Sequence, residues 1–77
     1  MIFGDRWEER GPFHVLGLRL WSIFQAHGHD IPDVAAICGR PPAVVRQWLL
    51  GVERPDDIAA YILCRYFGGN RDDYVEA

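Results

Sequence analysis

The chain has no lysine, only two cysteines and one methionine, and its apolar runs never extend beyond a few residues. Each shortage closes off a class of protein. A transmembrane helix needs roughly 20 consecutive apolar residues, and no stretch approaches that. Cys38 and Cys64 are too few for a disulfide framework. Both fall inside apolar helical patterns, where a free thiol behaves as a small buried hydrophobe, so reduced core thiols are expected. A zinc site drawn from His27, His29, Cys38 and Cys64 lacks the paired ligand spacing of structural zinc sites. The N-terminus, MIFGDRWEER, carries acids before any apolar run and no small-residue cleavage site, so it does not read as a signal peptide. No strand-type alternation, internal repeat or low-complexity tract interrupts this picture. A cytoplasmic protein is expected.

What is present is enough to fold. Of 77 residues, 49% are hydrophobic and 13% aromatic, far from a disordered composition. A single domain of this size buries only about 60% of its unfolded surface, so its margin of stability is narrow. The net charge of −3 counts against a free-standing nucleic-acid binder, which usually carries a basic balance. The charge is uneven, however. Residues 40–54 hold Arg40, Arg46 and Arg54 against Glu53 alone, whereas residues 55–77 hold five acids against Arg65 and Arg71. An acidic chain with one basic patch can still approach a phosphate backbone.

Glycine and proline divide the chain into helices. Residues 1–12 end in Gly11-Pro12 and mix Ile2, Phe3 and Trp7 with charges, as an N-terminal arm; residues 13–77 form the domain. Phe13, Leu16, Leu20, Ile23, Phe24 and His27 share one face of a helix over 13–27 and are expected in the core. Gly28 stops it. Asp30 caps a second helix, Ile31 to Cys38, with Pro32 in its first turn and Asp33 placed as in a capping box. Pro41-Pro42 opens a third helix to about Leu50, stopped by Gly51. Asp56 caps a fourth, Asp57 to Phe67, expected to bury Ile58, Tyr61, Ile62 and Leu63. Asn70 or Asp72 caps a last helical turn through Tyr74 and Val75. The expected fold class is all-α, with four to five short helices.

Ala35 and Gly39 at the turn between the second and third helices, Trp48 and Gly51-x-x-x-Pro55 after the third, and Arg65-Tyr66-Phe67-Gly68 closing the fourth make a pattern. Over roughly Gly17 to Tyr74 it resembles the lambda-repressor/Cro-type helix-turn-helix family. Gly39 then supplies the positive φ of a tight corner, Ala35 lets two helices approach, and Trp48, Val45 and Ile37 form the wedge between them. The resemblance implies a small, dimeric DNA-binding regulator whose third helix, residues 42–49, enters the major groove. The DNA-facing positions become Arg40, Pro42, Ala43, Arg46, Gln47 and Arg54. Arg46 and Gln47 are the base readers and Ala43 meets a thymine methyl, with Arg40 and Arg54 on phosphates.

Two features pull the other way. The second helix opens with Asp30-Ile31-Pro32-Asp33, which turns carboxylates toward a phosphate and deletes an N–H donor. On the first helix, His14, Leu18 and Trp21 form a stripe away from the core face. Either the arm, through Phe3 or Trp7, or a protein partner such as a second copy would cover it. The alternative function is therefore a protein–protein interaction module on the same scaffold. No nucleophile–base pair, paired carboxylates in helical register or phosphate-cradling loop appears, so no enzyme activity and no cofactor is expected.

Overall fold

The computed structural model describes residues 11–75. Phe3 and Trp7 lie outside the described residues. The described chain is all-helical: α1, His14–Ala26; α2, Ile31–Cys38; α3, Pro42–Leu50; α4, Asp57–Phe67; and a 3-10 turn, Arg71–Tyr74. The expected all-α bundle is observed, and α2 and α4 have the bounds read from the sequence.

Local chemistry sets these boundaries. The Asp56 carboxylate accepts from the Ala59 N–H at 2.7 Å, and Asp33 accepts from the Asp30 N–H at 3.1 Å. Asp73 does the same for the Asn70 N–H at 3.0 Å, starting the 3-10 turn. At the other ends, α1, α2 and α3 close by one device, a Schellman pair of backbone bonds around a glycine. In α2 the Arg40 N–H reaches the Ala35 carbonyl at 3.0 Å; in α3 the Val52 N–H reaches that of Gln47 at 3.0 Å; in α1 the His29 N–H reaches that of Phe24 at 2.9 Å. The glycine at the α2–α3 corner, Gly39, has φ of 64°. Nothing stands within 4 Å of where its Cβ would lie, so the backbone angle alone selects glycine there.

The core is one cluster. Leu16, Leu20 and Phe24 come from α1; Ile31, Val34, Ala35 and Cys38 from α2; Val45, Trp48 and Leu49 from α3; Ala59, Ala60 and Leu63 from α4; and Tyr74 from the 3-10 turn. Tyr74 is buried with its hydroxyl donating to the Gly68 carbonyl at 2.6 Å, and burial raises its phenol above the ordinary range. Trp48 and Val45 form the expected wedge, but Ile37 is only half-buried and stands outside the cluster.

Two other core expectations fail for identifiable reasons. His27 is exposed: its Nδ1 meets the Ile23 carbonyl at 2.9 Å and its ring packs edge-on against Phe67. The imidazole caps the end of α1 and never enters the interior. On α4 the buried stripe is Ala59, Ala60 and Leu63, while Ile58 is 66% and Tyr61 56% exposed. Of the four residues expected inside, Leu63 is buried and Ile62 packs against the core, while Ile58 and Tyr61 face outward. The small alanines are the residues that let α4 settle on the core.

α1 and α3 come together at backbone range. The Gly11 N–H donates to the Leu50 carbonyl at 3.1 Å and the Phe13 N–H to the Gly51 carbonyl at 2.8 Å. Gly11, placed in the arm by the sequence, is thus bound to the end of α3. At Gly17 a Cβ would run into the backbone carbonyl group of Leu49, and at Gly51 into the backbone of Phe13 and His14. Gly17 sits mid-helix, where alanine would ordinarily gain up to about 1 kcal/mol in propensity. Here Gly17→Ala is expected to lower stability by about 1–3 kcal/mol through overpacking, read as a lower urea midpoint. Ser22→Ala, at an exposed position of the same helix, is the control. A Gly17→Ala protein as stable as the parent would mean that α1 and α3 are not in backbone contact.

Candidate functional site

α3 has two polar side chains, Arg46 and Gln47. Val45, Trp48 and Leu49 turn inward, leaving Pro42, Ala43 and Arg46 exposed and Gln47 half-buried. The spacing of 43 and 46 places them one above the other on the helix surface. Pro42, Ala43 and Arg46 form one wall of a groove of about 610 Å³, faced by Asp30, Ile31 and Pro32 from the start of α2 and by Trp21 from α1. Trp21 is half-buried, its side chain packed against the core cluster. The sequence assigned Trp21 to a stripe with His14 and Leu18; the stripe lies on one helix, but its Trp21 end packs against the core. Leu18 stays 44% exposed and His14 is exposed.

The groove has apolar walls with two charged residues. Asp30 lies on the α2 side, where its Oδ1 accepts from Gln25 Nε2 at 3.3 Å. Arg46 has no ion-pair partner among the described residues. The other three positions expected to face DNA are elsewhere. Gln47 does not line the groove, although its carbonyl anchors the turn that ends α3. The Arg54 guanidinium lies over the Phe13 ring, 5.6 Å from its centroid, beyond the C-terminal end of α3.

Arg40 is the clearest departure. Its Nη2 bonds both carboxylate oxygens of Asp56, at 3.1 and 3.2 Å, and Nη1 reaches the Cys38 carbonyl at 3.4 Å. The residue expected on a phosphate instead ties the α2–α3 corner to the start of α4. The sequence marked Asp56 as a cap; its partner sixteen residues away carried no local signal. Beside this pair, Cys38 is buried, and the loss of water pushes its thiol up to about 11. A thiol so hard to ionise is unreactive at neutral pH. Among the described residues no group of three or more His, Cys, Asp or Glu side chains is placed to hold a metal ion. No described helix is long and apolar enough to cross a membrane.

With this geometry in hand, no protein-family model, curated protein or solved structure significantly matches the chain.

The Asp56 carboxyl is held below the usual carboxylate range, first by the Ala59 N–H and then by Arg40. Its folded value is depressed, so its contribution to stability is present above the unfolded value near 4 and is lost as pH falls through the folded value. Asp56→Asn keeps a capping oxygen but cannot ionise. Its melting temperature should lie below the parent's at pH 6 and converge on it as pH drops below about 4. A gap that does not close with acid would show that the carboxylate charge is not what holds this corner.

Proposed function

We propose that the protein is a small helix-turn-helix DNA-binding regulator that lays the first two turns of α3 in the major groove. One observation carries this reading: Pro42, Ala43 and Arg46 share the outward face of a short helix fixed at both ends by tight turns, and Arg46 is unpaired among the described residues. An arginine so placed matches the O6/N7 acceptors of guanine. Phosphate contacts are sparse. Arg40 is committed to Asp56, and Asp30 and Asp33 stand at the start of α2. Affinity of a single domain therefore stays in the range of weak, salt-sensitive binding, and a dimer on two half-sites would be needed for tight binding.

Fluorescence anisotropy on a mixed-sequence duplex tests this. Binding should weaken between 50 and 200 mM salt with the shallow slope of a few phosphate contacts, and Arg46→Ala should cost about 1–3 kcal/mol of affinity. Arg40→Ala should lower thermal stability while leaving affinity for DNA within about two-fold, because its guanidinium serves the fold. No binding at the lowest salt would sink the proposal.

A protein-interaction module on the same scaffold is favoured by a different observation. Val15 and Leu18 on α1 and Ile58 and Tyr61 on α4 are all large apolar side chains left exposed. If a second copy covers the α1 stripe, Leu18→Glu should convert a dimer to a monomer in sedimentation with helicity unchanged. Identical sedimentation of parent and variant would remove Leu18 from any self-association surface.

A further inference from the structure

We infer that the outward face of α4 pairs antiparallel with the same face of a second copy, across a two-fold axis at Tyr61. The inference rests on the interaction reading above and names the occupant of its α4 face. Asp57, Ile58, Tyr61 and Arg65 recur at spacings of three and four residues, so they stand on one side of the helix. All four are exposed, and Ile62 beside them is half-buried. The core side of α4 is Ala59, Ala60 and Leu63, which turns this side outward.

The placement of charge selects the occupant. α4 has one acid, Asp57, in its first turn and one base, Arg65, in its last. Each lies four residues from Tyr61, about 6 Å along the helix axis. Neither has an ion-pair partner among the described residues. Asp57 shares a polar pocket with Arg71 and Asp72, and the Arg65 guanidinium lies over the Tyr61 ring, 5.9 Å from its centroid. A two-fold interface must be self-complementary. Antiparallel pairing centred on Tyr61 meets that condition, because it sets each Asp57 at the height of the other copy's Arg65. It also opposes the two helix dipoles, brings Tyr61 against Tyr61 and puts Ile58 beside the other copy's Ile62. Parallel pairing would set Asp57 on Asp57 and Arg65 on Arg65, repelling at both ends. An 11-residue helix offers less than the roughly 800 Å² per partner of a standard interface, so the pairing is weak.

Sedimentation equilibrium of the whole chain, carried up to millimolar protein, tests this. The parent's mass should rise with concentration toward that of a dimer. Asp57→Arg sets like charges against each other at both ends of the pair and should raise the dissociation constant about ten-fold. Arg65→Asp should do the same from the other end of the helix, and the double variant, which restores opposite charges, should recover most of the loss. Ile58→Ser should weaken pairing without touching either charge. Circular dichroism checks that each variant keeps the parent's helicity. A dimer that neither charge reversal moves overturns the inference. If association is lost in Leu18→Glu but kept in Asp57→Arg, the contact lies on α1, which overturns this inference and leaves the interaction reading standing. A parent that stays monomeric throughout overturns it as well, and the interaction reading then requires a different partner.

Discussion

Everything else in this small domain hangs on how closely α1 approaches α3. The two helices meet backbone to backbone, through Gly17 against the Leu49 carbonyl and through two hydrogen bonds from Gly11 and Phe13 to the carbonyls that end α3. Such a contact replaces the side-chain layer that usually separates packed helices, at 8–10 Å between axes. It also fixes α1 along its length, because the start of α1 is bound to the end of α3. One turn after Gly17, Trp21 is then carried to the opposite end of α3, where Pro42, Ala43 and Arg46 lie. The groove beside the outward face of α3 is thus a product of glycine placement on α1.

What could be read from the sequence was what is decided within about five residues. The capping aspartates at 30, 33 and 56 and the glycines at 28, 39 and 51 mark their boundaries because the bonds they make or permit are local. Half of the groove was legible for the same reason: residues 42, 43 and 46 share a face by helical spacing alone. The joining of Trp21 to them was not, since it depends on the α1–α3 approach. The Arg40–Asp56 pair spans sixteen residues and looked like one surface arginine and one cap. On α4, Ile62 and Leu63 were legible as inward, but Ile58 and Tyr61 were not legible as outward, because size is a weaker guide to burial than fit. The two alanines, Ala59 and Ala60, are fully buried in a close-packed core where larger side chains would need more room.

Electrostatically the molecule is divided along the same lines. Its most basic stretch loses Arg40 to an internal ion pair, leaving Arg46 on α3 and Arg54 stacked over Phe13. The carboxylates of α2 are likewise turned to local use, Asp33 on the Asp30 N–H and Asp30 on Gln25. The carboxylates keep their charge in these bonds, whereas the charge of Arg40 is balanced by Asp56. The groove beside α3 is thus left with one arginine, Arg46, and one carboxylate, Asp30, among apolar walls.

Tyr74 also bears on how the domain is closed. It fills the core from the final described turn, with α4 and that turn in closer contact than α2 and α4. The four helices carry their own start and stop signals, but helices this short are held by tertiary packing, and their common interior stays open at one end until Tyr74 is in place. A chain truncated after Phe67 would lack both the side chain that closes this core and the hydroxyl that ties the last turn to the Gly68 carbonyl.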